Sequence, residues 1–158
     1  MKDYMYIKLI IVFLCFTGCS KFDKKGYKTY FKEELIGTDI SMSLLAAKIG
    51  FNSSILQYSD ANIVKLSEGR VPIIGKTAFA SSFNKESDLK TISWHPIDAE
   101  VAKSGDLGYT WGNWQYIAKD TIFYGNYFTV WKKDIHKQWK VVLDGGNNTP
   151  EPPNEKNL

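Results

Sequence analysis

The chain has 158 residues, of which 44% are hydrophobic and 15% aromatic, so it can bury the core of one globular domain but not of two. The formal net charge is only +3, and every basic residue except Arg70 is a lysine. Scattered lysines cannot assemble the paired guanidinium contacts that recognise phosphates or base edges, so we expect no nucleic-acid partner.

The start of the chain has the features of an export signal. Residues 1–18 combine a short charged start with an apolar run that is too short to span a bilayer, followed by two small residues before Cys19. The sequence "FTGC" resembles the bacterial lipobox, which implies acylation of Cys19, with palmitate-like chains that anchor the protein in the cell envelope, outside the cytoplasm. The alternative is a free cysteine beside a simple signal cleavage site.

Both ends of the remaining chain are polar. Residues 19–26 are basic and hydrophilic, as expected of a tether between the membrane and a folded domain. Residues 148–158 contain three prolines and almost no apolar side chains, which predicts a disordered tail. The folded domain is therefore expected over residues 27–147.

Helices are expected in the first part of the domain. Apolar residues recur at steps of three or four from Tyr27 to Ile49, which predicts a helix of about six turns ended by Gly50. A second, shorter helix follows, with Phe51 and Ile55 on one side. The sequence "NIVKL" then predicts a brief strand and "KTAFASSF" another short helix.

Four strands are predicted in the second part, over about 91–102, 107–117, 123–134 and 138–145. Short turns between them indicate an antiparallel meander. Helices followed by an antiparallel sheet are typical of the α+β class.

The faces of this sheet follow from the turns, because side chains alternate along a strand and opposed residues share a face. With turns at 119–120 and 136–137, the inner face carries Gly108, Thr110, Gly112, Trp114, Tyr127, Thr129, Trp131, Val142 and Asp144. The outer face carries Tyr109, Trp111, Asn113, Phe128, Val130, Lys132, Trp139, Val141 and Leu143. Helices can cover only one apolar face, so we expect the outer one to form a homodimer contact.

The inner face is unusual because glycines lie opposite aromatic rings. Gly108 pairs with Trp131 and Gly112 with Tyr127, so the rings could lean over bare backbone and leave a hollow. An aromatic hollow with a few polar groups is typical of a small-molecule site. Alternatively, the glycines only relieve crowding in a bent sheet. The expected ligand-binding residues are Asp39, Thr110, Trp114, Tyr127, Thr129, Trp131, Val142 and Asp144.

Two carboxylates are candidates for function. Asp144 could act as acid, base or hydrogen-bond anchor in the pocket, or it could cap the end of the last strand before Gly145. Asp39 could close the pocket mouth from the long helix, or it could be a helix N-cap. No catalytic residue is assigned, although Asp144 would be the candidate if the protein were an enzyme.

The direction of Asp98 and Glu100 depends on one turn. A two-residue turn at 105–106 points Ile97, Ala99 and Val101 inward, whereas a three-residue turn points both carboxylates inward. We favour the first, because it avoids burying two carboxylates side by side.

The sequence gives little support for a metal site, a cofactor or a serine-based hydrolase. His95 and His136 stand alone, so we expect no metal site, and no phosphate loop or serine nucleophile motif indicates a cofactor or a hydrolytic triad.

Four segments resemble the SnoaL-like members of the nuclear transport factor 2 superfamily: "DISMSLLAAKIGF" (39–51), "VPIIGK" (71–76), "SGDLGYTWGNW" (104–114) and "GNYFTVWKKDIHKQWKVVLDGG" (125–146). The resemblance covers roughly residues 27–147. It implies a cone-shaped α+β fold in which N-terminal helices pack on a strongly curved antiparallel sheet, with a pocket between them and frequent dimers.

The resemblance does not imply one activity, because this scaffold carries many. Its ketosteroid isomerase branch needs a carboxylate base and an oxyanion hole of tyrosine and protonated aspartic acid. Matched to this chain, those places fall on Ser43, Leu66 and Thr129, none of which has the required side chain. We therefore expect a non-catalytic, membrane-tethered binding domain for a small, largely apolar ligand. The alternatives are a SnoaL-like isomerase, cyclase or hydrolase and a ligand-free dimeric scaffold.

Overall fold

The computed structural model describes residues 24–150. Its elements are α1 (Lys24–Ile49), α2 (Phe51–Tyr58), β1 (Ser59–Lys65), β2 (Ile73–Ile74), α3 (Lys76–Ser81), β3 (Ile92–Val101), β4 (Leu107–Ile117), β5 (Ile122–Lys133) and β6 (Trp139–Thr149). The expected signal peptide, the lipidation site Cys19, most of the tether and residues 151–158 lie outside the described residues. Within 24–150, no helix is long and apolar enough to cross a membrane.

All six strands belong to one curved sheet in the order β2-β1-β6-β5-β4-β3, with the N-terminal helices packed on it. The predicted α+β fold and the four-stranded meander are confirmed. The sheet is not wholly antiparallel, however, because β1 adds to it parallel to β6. This parallel pairing sets Lys65 beside Asp144, which matters for the site below.

Helix α1 lies across β3 and presents a mixed stripe to the core. The buried members of this stripe are Leu35, Asp39, Met42, Ser43 and Ala46. The Ser43 hydroxyl donates to the Trp94 carbonyl at 2.8 Å and accepts from the Trp94 N–H at 3.2 Å. These two hydrogen bonds fix the helix on β3, because a buried polar side chain is stable only where its donors and acceptors are paired.

Helix α2 is held at its start by a distant carboxylate. Gly50 has φ +105°, a conformation that favours glycine, and directs the chain out of α1 into α2. Asp88 accepts from the backbone N–H groups of Asn52 at 3.1 Å and Ser53 at 2.6 Å, which satisfies free donors at the helix N-terminus. The helix is thereby positioned with Phe51 and Ile55 toward the sheet.

The predicted register between β4 and β5 is confirmed. Gly108 pairs with Trp131, Thr110 with Thr129 and Gly112 with Tyr127. The predicted pairing of Thr129 with Asp144 is confirmed as well.

The predicted placement of Val142 is wrong. Trp131 pairs with Val141 instead, because a bulge between the two strands makes Val142 the extra residue, and Val142 lies outside the buried core. The same bulge turns Trp139 and Val141, expected on the outer face, into the core beside Trp131. A bulge shifts the alternation of side chains by one residue, so the residues beyond the bulge point to the opposite face. The turn residues from which the faces were predicted do not reveal this bulge.

Strand β6 is longer than predicted, and two residues of β3 have the predicted orientation. Strand β6 continues to Thr149, which pairs with Tyr124, so residues 148 and 149, predicted to belong to a disordered tail, are part of the sheet. Ala99 and Val101 point into the core as favoured, while a bulge at Ile97 interrupts the register of β3.

Asp98 and Glu100 point away from the core. They form ion pairs with helix α1, Asp98 with Lys32 at 2.5 Å and Glu100 with Lys28 at 2.8 Å. The loop covers 103–106 and is therefore two residues longer than the expected turn at 105–106. Because this difference is even, each side chain of β3 near the loop still points to its expected face.

Candidate functional site

A cavity of ≈ 200 Å³ lies between helices α1 and α2 and the sheet, next to the ends of β1 and β6. Its walls are mostly aromatic and aliphatic: Met42, Phe51, Ile55, Leu66, Ile92, Trp94, Trp114 and Tyr127. Its polar lining consists of Lys65, Thr129 and Asp144, with Ser67, Glu68, Asn147 and Asn148 also in contact. An apolar enclosure with a few placed polar groups is the usual composition of a small-molecule site.

The centre of the polar wall is an ion pair between Lys65 and Asp144. One carboxylate oxygen of Asp144 accepts from the Lys65 ammonium, and the other accepts from the Thr129 hydroxyl at 2.9 Å. The side chains of Lys65 and Asp144 are only 9% and 8% exposed, so the pair is shielded from water. Burial of two charges is tolerable here because each compensates the other and both carboxylate oxygens are hydrogen-bonded.

The Lys65 ammonium has two further contacts. It lies 3.4 Å from the Leu66 carbonyl and 5.3 Å from the centre of the Phe51 ring. A cation at this distance from a ring face is attracted to the ring quadrupole. Lys65 is therefore positioned by β1, β6 and α2 together.

A second buried carboxylate, Asp39, lies behind the cavity. One of its oxygens accepts from Trp94 Nε1 at 2.7 Å and the other from the Tyr127 hydroxyl at 2.8 Å. Burial raises the pKa of Asp39, while hydrogen bonds from Trp94, Thr110 and Tyr127 oppose that rise. Burial also raises the pKa of Tyr127, and the neighbouring Asp39 raises it further.

The predicted ligand-binding residues divide into two groups. Trp114, Tyr127, Thr129 and Asp144 line the cavity. Thr110, Trp131 and Asp39 are fully buried in the core, and Val142 is the bulged residue, so none of these four reaches the cavity wall. Thr110 accepts instead from Trp131 Nε1 at 2.9 Å.

Both predicted roles of Asp39 are wrong. It lies in the middle of α1 rather than at an N-cap, and it has 0% exposure rather than a place at the pocket mouth. The capping role of Asp144 is also wrong, because its carboxylate accepts from Lys65 and Thr129 and the strand continues past it.

The hollow expected over Gly108 and Gly112 is filled. A Cβ at Gly108 would lie 2.8 Å from Leu35 Cδ2, and one at Gly112 would clash with the His95 carbonyl oxygen and lie 2.9 Å from Tyr127 Cε1. These glycines permit close approach of neighbouring atoms, which is the crowding alternative. The cavity itself lies further along the sheet, beside Gly145 and Gly146.

One side of the cavity is bounded by polar contacts between β6 and the segment after β1. The Asn148 N–H donates to Glu68 at 3.2 Å, and the Asn148 side-chain amide also contacts this carboxylate. On the adjoining wall, the Trp114 ring lies against Gly125 and its Nε1 donates to the Asn126 carbonyl at 3.2 Å.

Lys65 is the main functional candidate that the sequence analysis missed. It occupies an inward position of β1, two residues after the buried Ile63, where an apolar side chain is expected. A lysine on the apolar side of a short strand was the available signal, although its partner could not be identified without the parallel pairing of β1 with β6. Phe51, Ile55 and Trp94 were likewise not assigned to the pocket.

The positions matched to the catalytic residues of ketosteroid isomerases are occupied by Ser43, Leu66 and Thr129. Leu66 and Thr129 line the cavity, whereas Ser43 is bound to the backbone of Trp94. Among residues 24–150, no group of three or more histidine, cysteine or acidic side chains could hold a metal ion.

No family model and no curated protein matches this sequence. Solved structures do match. An NTF2-like protein of unknown function from Pseudomonas putida is 14% identical over 82% of this chain and 92% of its own, with a TM-score of 0.60. An NTF2-like protein with a cystatin-like fold from Novosphingobium aromaticivorans is 13% identical over 76% and 82%, with a TM-score of 0.58.

A ketosteroid isomerase-like protein from Erwinia carotovora atroseptica is 15% identical over 75% of this chain and 96% of its own, with a TM-score of 0.55. At such identities the likeness concerns the fold alone. The predicted nuclear transport factor 2-like fold is confirmed, and this fold is compatible with both binding proteins and isomerases.

Proposed function

We propose that this nuclear transport factor 2-like domain is a non-catalytic binding domain for a small, largely apolar ligand. The observation that carries the proposal is the ≈ 200 Å³ cavity, whose aromatic walls surround one buried ion pair. Apolar walls provide affinity through burial, and the few polar groups orient a ligand.

The state of the polar groups argues for binding rather than catalysis. Each oxygen of Asp144 already accepts a hydrogen bond, from Lys65 or from Thr129. Asp39 is sealed behind Trp94 and Tyr127 with no exposure. A general base must reach the proton that it abstracts, and neither carboxylate is presented freely to the cavity.

Native mass spectrometry of the purified protein tests this proposal. We expect a co-purifying small molecule at one copy per chain, lost in Trp114→Ala, which removes a cavity wall. Tyr30→Ala is the matched control, because Tyr30 is exposed on α1 and belongs neither to the cavity lining nor to the proposed dimer face. Absence of any bound molecule, together with no binding of small aromatic probes, would favour the ligand-free scaffold.

We further propose that the domain is tethered to the bacterial envelope through lipid on Cys19, as the lipobox resemblance implies. Metabolic labelling with a palmitate analogue tests this directly. Label should appear on the intact chain in the membrane fraction and disappear in Cys19→Ser. Equal labelling of both chains would reject the tether.

The outer sheet face supports a proposal of a homodimer. Tyr109, Trp111 and Phe128 are 45%, 38% and 38% exposed there, although large aromatic side chains are usually covered. Sedimentation velocity should give a dimer mass for the wild type and a monomer mass for Trp111→Lys. Tyr30→Lys, at an exposed position of α1, should remain dimeric.

A further inference from the structure

The cavity wall contains several hydrogen-bond donors, and most of them are committed to the protein. Trp94 Nε1 and the Tyr127 hydroxyl both donate to Asp39. Trp114 Nε1 donates to the Asn126 carbonyl, and the Thr129 hydroxyl donates to Asp144. A ligand would have to break one of these bonds to use these groups, which leaves a buried partner unpaired.

Lys65 is different because an ammonium has three N–H groups. One donates to Asp144 and one lies at the long distance of 3.4 Å from the Leu66 carbonyl. No third acceptor contacts Lys65 among residues 24–150, and its side chain forms part of the cavity lining. Lys65 can therefore donate to a ligand oxygen without losing Asp144.

The charges around the cavity favour an uncharged ligand. Lys65 and Asp144 compensate each other, while Glu68 adds a negative charge at the exposed edge of the lining. A ligand carboxylate would face Asp144 and Glu68, and a ligand ammonium would face Lys65. Burial of a charge without its own compensating partner is costly, so a neutral acceptor oxygen fits better than an ion.

The size of the cavity limits the ligand further. A volume of ≈ 200 Å³ is somewhat larger than the roughly 150 Å³ cavity that holds benzene in an engineered protein. The cavity is partly open to solvent, and one substituted ring fits its volume.

We propose that the ligand is an uncharged molecule about the size of one substituted ring, with a single carbonyl or hydroxyl oxygen that accepts a hydrogen bond from Lys65. Lys65 is then the specificity-determining residue of the pocket. This inference rests on the proposed binding function and adds the chemical class of the ligand.

Binding of four matched probes to the purified full-length chain tests the inference by titration calorimetry. Acetophenone carries a carbonyl, and cumene has nearly the same shape without it. Benzoate and 1-phenylethylamine add a negative and a positive charge. Cumene is the more hydrophobic probe, so a purely apolar cavity should prefer cumene.

We expect acetophenone to bind about tenfold more tightly than cumene, because a hydrogen bond from a charged group is stronger than one between neutral groups. Benzoate and 1-phenylethylamine should both bind more weakly than acetophenone. Equal or tighter binding of cumene, or of either charged probe, would overturn the inference while leaving the binding function intact. Failure of all four probes to bind would reject both.

A double variant identifies the donor. Lys65→Met/Asp144→Leu removes both charges together, so no lone ion is left in the core. In this variant the preference for acetophenone should reverse in favour of cumene. A preference that survives the double substitution would show that another group is the donor.

A measurement on the wild type makes the test independent of the variant's folding. In protein labelled with ¹⁵N-lysine, the Lys65 ammonium signal should shift on addition of acetophenone, and it should shift much less with cumene. Equal shifts with both probes would contradict the proposed hydrogen bond.

Discussion

Two buried carboxylates lie within the same core and accept hydrogen bonds from different kinds of partner. Asp39 accepts from Trp94 and Tyr127, which are neutral donors, and has no exposure. Asp144 accepts from the ammonium of Lys65 and from Thr129, at the wall of a cavity. The first carboxylate connects α1 to the sheet, and the second connects two strands beside the site.

The charge of the hydrogen-bond partners distinguishes the two carboxylates. Asp39 has neutral partners and a structural role, whereas Asp144 has a cationic partner that can act on a ligand. Neutral donors compensate a buried charge only partly, and the pKa of Asp39 is raised by burial despite its hydrogen bonds. A cation compensates the charge of Asp144 directly and itself retains capacity for another acceptor. Asp39 is thus a polar element of the core, while the Asp144 pair presents a donor to the cavity.

The largest effect is expected from breaking the ion pair at Asp144. Lys65→Met keeps most of the side-chain volume but leaves a buried carboxylate without its cation. Removal of one partner of a buried pair costs about 3–5 kcal/mol, so the free energy of unfolding should fall by about that amount. Urea denaturation at neutral pH measures it.

The double variant Lys65→Met/Asp144→Leu is the control for this prediction. It removes both charges, so it should be clearly more stable than Lys65→Met alone. If the single and double variants are equally unstable, loss of side-chain packing rather than an unpaired charge explains the effect.

A somewhat smaller effect is expected at Asp39. Asp39→Ala leaves the Trp94 indole N–H and the Tyr127 hydroxyl without their acceptor. Both donors are neutral, so each should cost about 1–2 kcal/mol, and a total loss of about 2–4 kcal/mol is expected. Thermal or urea unfolding measures this loss.

Asp39→Asn is the matched control. Its amide oxygen can accept from Trp94 and its NH₂ can donate to the Tyr127 hydroxyl, so the loss should be within about 1 kcal/mol at neutral pH. An equal cost for both variants would mean that shape, not hydrogen bonding, is what the core requires at this position.

The pH dependence of stability should report the raised pKa of Asp39. The folded protein holds this proton to a higher pH than the unfolded chain, in which the carboxyl has the ordinary pKa of an aspartate, about 3.9. Stability from this group therefore falls as pH rises above about 4, by at most about 1.4 kcal/mol per pH unit.

Subtraction isolates the contribution of Asp39 to this dependence. The free energy of unfolding of the wild type, minus that of Asp39→Asn, should decrease between pH 4 and the folded-state pKa. A difference that stays flat or increases over this interval would contradict a raised pKa.

Much of the fold could be predicted because it follows from local patterns. The alternation within β4 and β5 and the position of the turn between them fixed the pairs Gly108–Trp131 and Gly112–Tyr127. The limits lay at irregularities: the bulge at Val142 has no signature in residue type, and it moved Val141 and Trp139 into the core.

The site was less predictable because it depends on contacts between distant segments. Thr129 and Asp144 were placed on one face by strand pairing, whereas Lys65 reaches them through a parallel contact between β1 and β6. Asp39 was expected at the pocket mouth because it lies on the long helix one turn before Ser43, but it is completely buried, with Trp94 and Tyr127 bound to its carboxylate. The periodicity of a sequence predicts the face to which a side chain points, but it does not predict which residues of distant segments cover that side chain.

The smallest effect is expected at an exposed carboxylate, which tests whether burial is what separates Asp39 and Asp144 from others. Asp98 pairs with Lys32 at 2.5 Å, and the two side chains are 42% and 33% exposed. The hydrogen bond from Lys32 lowers the pKa of Asp98, so stability from this pair is present above pH 4 and lost as pH falls, opposite in sign to Asp39.

Because water and salt screen this pair, Lys32→Met should cost no more than about 1 kcal/mol, and the cost should shrink when salt is raised from about 0.1 M to 1 M. Unfolding titrations at both salt concentrations measure it, with Lys65→Met as the comparison whose cost should change little. If Lys32→Met is as costly as Lys65→Met, or equally insensitive to salt, exclusion of water does not make the Asp144 pair stronger than an exposed pair of the same charges.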